Sequence, residues 1–256
     1  MIACMDFEYN CGWSRRRSVE EVIQYGLVIT EHEGSGTEVL AESCYVKPVF
    51  VPKLDKHIMK LTGIVQETVD TQGKSPKEAF ARLFELIDEY QIATIYIWGS
   101  DKKVLTEYLQ SHEVGGLRRQ RVGFLKKLCD VSDEFSADVS RQAVSLGDMA
   151  FLCDYEPEAA HDALADARTL KEILVHYCRE GLNEEKAADY RVFVNDRQLF
   201  ARLKSVIGVL RRNGLTDEEL LKWTQECLND GKMPEYVLWR ESWQRENPVL
   251  PEESEH

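Results

Sequence analysis

The sequence predicts an α/β fold on a mixed sheet, with a smaller helical extension behind it. Three observations carry the prediction. β-Branched runs open the chain, later apolar runs alternate with amphipathic helical segments, and beyond Gly181 only helical spacing remains. The 256 residues, 43% of them hydrophobic, suffice for one domain of this class and an appendage. The expected division is a domain over 1–180 and an extension over 183–256.

Residues 1–8 read as a buried strand that delivers Asp6 and Glu8 at its end. Tyr9–Arg17, with Gly12, Trp13 and three arginines, is expected as a loop. Val22–Thr30 and Val39–Val46 form an antiparallel pair turning at Gly34-Ser35-Gly36. Pro48 and Pro52 stop the sheet, and Leu54–Leu61 suits a short helix closed by Thr62-Gly63. Ser75 is an N-cap, with Pro76 starting a helix to Tyr90. Its Ala79, Phe80, Leu83, Phe84, Leu86 and Ile87 fall at helical spacing. Ala93–Trp98 is a fourth strand, and Asp101 begins a helix to Ser111. A fifth strand is expected around Phe124–Cys129, then helices at Ser145–Leu152 and Glu158–Cys178. In the extension, Tyr190–Arg211 and Asp217–Leu228 read as helices, and Thr216 with Glu219 as a capping box.

The balance of 32 basic and 45 acidic residues, net −13, argues against a surface that attracts polyphosphate over its whole area. Nucleic acid would need a local route, and cations held by carboxylates provide one. Seven cysteines include no C-x-x-C pair, which disfavours structural zinc and suggests buried reduced thiols in a cytoplasmic protein. The apolar opening Met1–Met5 is too short for a signal peptide, and no run approaches a membrane span, so no membrane partner is expected. Neither G-x-x-x-x-G-K-[ST] nor G-x-G-x-x-G occurs, against a nucleotide-binding or phosphohydrolase reading.

Three short segments carry the chemistry. Asp6-Phe7-Glu8 places two carboxylates on one side of a strand, which is costly unless a cation neutralises them. Asp101 follows the fourth strand at a helix start, where a lone acid equally serves the helix dipole. His161 and Asp166 stand five apart on the expected late helix, about 140° around its axis. Asp162 lies between them as a competitor, and Ala159, Ala160, Ala163, Ala165 and Ala167 let that helix lie close against a sheet.

The order and context of M-D-F-E, W-G-S-D-K-K-V-L and H-D-A-L-A-D-A-R-T-L resemble the DEDDh group of DnaQ-like 3′→5′ exonucleases. Leu61-Thr62-Gly63-Ile64 is similar to the family's L-T-G-I segment. The likeness covers roughly residues 1–180. The Trp98–Lys103 wording is most similar to the branch with Eri-type RNA exonucleases and bacterial KapD-type proteins. The resemblance implies a ribonuclease H-like, mixed five-stranded sheet flanked by helices. It implies that Asp6, Glu8, Asp101 and Asp166 bind two divalent cations, Mg²⁺ or Mn²⁺, and that His161 is the general base. It implies a single-stranded nucleic acid held by its 3′ end: Phe7 and Tyr9 at the terminal sugar, Leu61, Thr62 and Ile64 at the last bases. Core packing is the competing role for Leu61 and Ile64. Arg15, Arg16, Arg17, Lys102 and Lys103 are candidate phosphate contacts, and Trp13 a candidate stacking platform. One departure stands out: Tyr9 follows the D-x-E where relatives carry Ala or Thr, which leaves the choice of sugar open. An inactive module of the same fold remains the alternative. Trp223, Trp239 and Trp243 in the extension would suit a homodimer or protein partner, or ordinary packing.

Overall fold

Two long strands, β1 (Ile2–Ser14) and β2 (Arg17–Thr30), pair antiparallel and form the spine of the molecule. The structure is a computed structural model. It describes residues 1–14, 17–99, 101–112, 118–140, 143–157, 160–188, 190–191, 214, 216, 218–220 and 222. Two units are distinguished, Met1–Ala187 and Ala188–His256.

The stretch expected as a loop from Tyr9 is instead the outer half of this hairpin, Tyr9–Ser14 pairing with Arg17–Val22. Its composition is misleading because Asn10 and Glu21, opposite one another, are buried polar residues whose partners come from elsewhere in the chain. β3 (Leu40–Tyr45) pairs antiparallel with β2. β4 (Thr94–Ile97) runs parallel to β1, and β5 (Leu128–Asp130) parallel to β4. The mixed five-stranded sheet has the order β3-β2-β1-β4-β5.

The helices are α1 (Lys56–Thr62), α2 (Gln66–Gln72), α3 (Pro76–Glu89), α4 (Asp101–Ser111), α5 (Arg118–Lys127), α6 (Ser132–Ser136), α7 (Leu146–Leu152) and α8 (Ala163–Arg179). α2, α5 and α6 were not expected: α2 and α6, at 7 and 5 residues, are too short for a periodic signal, and α5 occupies most of the stretch expected as the fifth strand. The fifth strand is shorter than expected because α5 takes Phe124 into the core from the helical side. Caps explain the best-read helices. Ser75 and Glu78 form a full capping box on α3, and Gly63 ends α1 in the left-handed region at φ 72°.

One face of the sheet packs Ala3, Met5, Phe7, Tyr25, Leu27 and Ile29 against Phe80 and Leu83 of α3, Leu105 and Tyr108 of α4, and Phe124 of α5. α8 packs on β1 and β2. A smaller core joins Ile23, Leu54, Ile64 and Val69 under α1 and α2. In the second unit, Thr216 and Glu219 close the expected capping box. Trp223, Trp239, Trp243 and nearly all of the two expected helices there lie outside the described residues. Among the described residues no helix is long and apolar enough to cross a membrane, and the six described cysteines are free.

Glu21, fully buried, organises the chain between β3 and α1. One carboxyl oxygen accepts N–H groups of Val49 (2.6 Å) and Phe50 (3.0 Å) and faces His112 Nε2 at 2.9 Å; the other accepts Val51 N–H at 2.6 Å. Asn10 donates to the Val51 and Lys53 carbonyls and accepts Asp55 N–H. Burial raises the Glu21 carboxyl, but His112 and the three N–H groups outweigh it and hold it below the ordinary glutamate value. A depressed carboxyl stabilises the fold above the unfolded-state value, and that contribution is lost as pH falls through the folded one. Glu21→Gln replaces an acceptor with a donor facing donors. It is expected to cost about 3 kcal/mol at neutral pH, on the order of breaking a buried pair, and the deficit should shrink in acid. Urea unfolding at two pH values checks both.

Candidate active site

Alternation along β1 points Asp6 and Glu8 to one face, away from Phe7 in the main core. Opposite Asp6 on β2 stands Gly26. A Cβ there would lie 2.1 Å from the Ala163 carbonyl oxygen, so the first turn of α8 rests directly on strand backbone. Two residues along β2, buried Gln24 secures the same turn. Its Nε2 donates to Asp162 Oδ2 at 3.0 Å and to Ser43 Oγ at 3.1 Å, and its Oε1 accepts Ala163 N–H at 3.3 Å.

The late helix begins later than Glu158, at Ala163, because Asp162 is its N-cap and accepts Ala165 N–H. Asp162, the competitor at this motif, is thereby occupied in capping and in binding Gln24. His161 precedes the helix in the left-handed region at φ 62°, and its N–H donates to Asp166 Oδ2 at 2.9 Å. The two residues meet through a turn rather than across a helix face. Ligand atoms of Glu8, exposed His161 and Asp166 all lie within 4.8 Å of one another.

Asp101 arrives from β4. Gly99, at φ 89°, turns the chain and donates its N–H to Asp130 Oδ1 at the end of β5. Trp98 is held by its indole N–H on the Val144 carbonyl. Lys102 donates its ammonium to the Leu128 carbonyl, while Lys103 is exposed. Arg15, Arg16 and the side chain of Arg17 lie outside the described residues.

Burial raises all four acids, and neighbouring carboxylates of the set add to it at Asp6 and Glu8. Asp6 is pushed well above the ordinary aspartate value by burial, then by Asp101, Asp166, Glu8 and Asp162. Glu8 is raised to about 7 by burial, then by Asp166, Asp101 and Asp162. Asp101 is raised to about 7 by burial, with Asp130 adding and Tyr9 opposing. Asp166 is raised by burial, against the pull of the His161 N–H and ring. Hard carboxylate oxygens raised by burial, with the His161 imidazole the one positive group acting on them among the described residues, form a donor set that fits divalent cations.

The remaining sequence candidates divide. Phe7 is core, so only its backbone faces the site. β4 pairs β1 only over Ile2–Cys4, which leaves the β4 side of β1 without a strand partner alongside Phe7, Glu8 and Tyr9. Leu61 is 42% exposed, whereas Ile64 is 5% exposed and belongs to the small core. Thr62 closes α1, donating to the Ile58 carbonyl and accepting Ile64 N–H. Trp13 is 77% exposed at the hairpin tip. Sequence reasoning missed Gln24, Gly26 and Asp130. A glycine inside the β-branched run VIQYGLVIT was the available signal for a close backbone approach.

A family model described as exonuclease matches residues 4–174. No curated protein sequence matches the chain. Among solved structures, the nuclease domain of 3′hExo, a DEDDh family member bound to rAMP, is similar at TM-score 0.61 and 20% identity, covering 71% of this chain and 95% of that one. The 3′-exonuclease in the structure of 3′-end specific recognition of histone mRNA stem-loop gives 0.60 and 21%, over 71% and 84%. Escherichia coli Exonuclease I in complex with a dA16 oligonucleotide gives 0.52 and 15%, over 78% and 45%. At these identities the likeness is one of fold, the ribonuclease H-like sheet with flanking helices.

Two outcomes follow from this geometry. Carboxyls held near 7 when folded, and near about 4 when unfolded, are protonated only in the folded chain across that interval. Folding stability should therefore fall as pH rises through it, and MgCl₂ or MnCl₂ should reverse the fall; thermal unfolding in EDTA from pH 5 to 8 measures it. Gly26→Ala should lower stability by about 1–3 kcal/mol through overpacking. Gly36→Ala, with nothing within 4 Å of its added carbon, should be near neutral by the same denaturant assay.

Proposed function

The chain belongs to the exonuclease family, the DnaQ-like 3′→5′ type, and from that premise we propose that it trims single-stranded RNA or DNA from the 3′ end and releases nucleoside 5′-monophosphates. The observation that supports the reading is that ligand atoms of Glu8, His161 and Asp166 lie within 4.8 Å of one another, with Asp6 and Asp101 near enough to act on the same carboxyls. Asp6, Glu8, Asp101 and Asp166 would hold two Mg²⁺ or Mn²⁺ ions, which when bound supply Lewis-acid activation of water and neutralise phosphate charge.

The chain's own residues do the rest. His161, exposed and tied by its N–H to Asp166, accepts the proton of the attacking water as general base. The left-handed turn at His161 presents the ring to the cluster while Asp162 stays engaged with Gln24. The unpaired side of β1 at Phe7–Tyr9 offers backbone groups to the terminal sugar. Leu61, exposed at the end of α1, lies against the last base, with Thr62 fixing the turn and buried Ile64 supporting it from the core. This binding needs no basic surface, consistent with a net charge of −13.

Oligonucleotides of RNA and DNA labelled at the 5′ end, incubated with Mg²⁺ or Mn²⁺, should yield ladders shortening from the 3′ end, abolished by EDTA. His161→Ala should lower the rate about 10²–10⁴-fold, the usual range for a general base. Asp6→Ala should be at least as damaging. Internal cuts, or variants as active as the parent chain, would overturn the reading.

A further inference from the structure

Tyr9 carries an anomaly. Its hydroxyl is buried and has no hydrogen-bond partner, one of two such side chains among the described residues. An orphaned buried hydroxyl costs roughly 1–3 kcal/mol. The ring needs no hydroxyl to pack, since it lies against the main core beside Phe7 at 6.3 Å between centroids. Phenylalanine would fill the same space without the penalty.

The hydroxyl nevertheless sits in a telling place. It lies beside the Asp101 carboxyl, near enough to pull that group down against its burial, without closing a hydrogen bond of regular geometry. Asp6 is the next carboxyl it senses. Tyr9 is also the neighbour of Glu8 on the strand, so its backbone position is fixed by pairing with Val22. Past the register shift between Glu8 and Tyr9, the strand thus places an unused O–H donor beside an acid that arrives from a separate element, α4.

We propose that Tyr9 is a positioning residue: its O–H donates to Asp101 when that carboxylate turns to a bound cation, fixing which oxygen faces the ion. This rests on the metal-binding reading above and adds a partner that the four acids do not supply. Outer partners of this kind typically contribute 10–100-fold in metal affinity. A charge-assisted hydrogen bond to the ionised carboxylate would also satisfy the orphaned hydroxyl.

The test is Tyr9→Phe in the full chain, followed by thermal unfolding across a MnCl₂ titration. The midpoint without metal should stay level or rise, because the variant sheds an unpaired polar group. The MnCl₂ concentration giving the half-maximal shift should rise about tenfold. Paired with Asp101→Asn in a double-mutant cycle, the Tyr9→Phe effect should largely vanish. A metal-free midpoint that drops would mark a plain packing role and overturn the proposal. So would an unchanged Mn²⁺ dependence, or effects of the two variants that simply add. If the parent chain shows no Mn²⁺ shift at all, the metal-binding reading itself falls, and this inference with it.

Discussion

The site depends on one contact between backbones. At Gly26 the first turn of α8 touches β2 with no side chain between them. The features around His161 and Asp166 are built on that approach together with the Asp162 cap. The contact lies beside the Gln24–Asp162 hydrogen bond and the capped helix start, with the turn before the helix close to Glu8. A close-packed interior transmits displacement rather than absorbing it. β2 contributes none of the five proposed functional side chains, yet it determines where two of them stand.

The electrostatics follow from the same crowding. Carboxyls from three elements share one partly dehydrated space; burial raises all four, and Asp101 and Asp166 push Asp6 and Glu8 up further. Such an arrangement opposes folding while the groups are ionised and uncompensated. The fold tolerates it because neighbouring structure over-determines each position: the β1–β2 ladder for Asp6 and Glu8, the Gly99–Asp130 clip for Asp101, and the capped start of α8 for Asp166. Strain stored this way is released by whatever neutralises the cluster.

Much of this was legible in the residues, and the failures have physical causes. Helices with clear starts were read closely: α3 from Ser75 and Pro76, α4 from Asp101 after the Gly99 break, α7 from Ser145. The outer hairpin was read as a loop because its buried positions are filled by Asn10 and Glu21, whose partners lie 28 to 91 residues away and leave no local trace. The start of α8 was placed too early because alanines around His161 have helical propensity, while His161 itself takes a positive φ with its N–H on Asp166. The acids of the site were nameable from motif order. Their mutual distances, and the roles of Gln24 and Gly26, depended on which strands become neighbours.

The clamp formed by Glu21 and Asn10 has a mechanical consequence. Beyond residue 9 the β1–β2 ribbon has no third strand beside it, and a lone two-stranded ribbon is marginal in water. Here it is braced by residues 49–55, which lead straight into Asp55, the cap of α1. The tip bearing Trp13 and the helix bearing Leu61 are therefore two ends of one lever. Six hydrogen bonds of 2.6 to 3.2 Å join the ribbon to the segment that leads into α1.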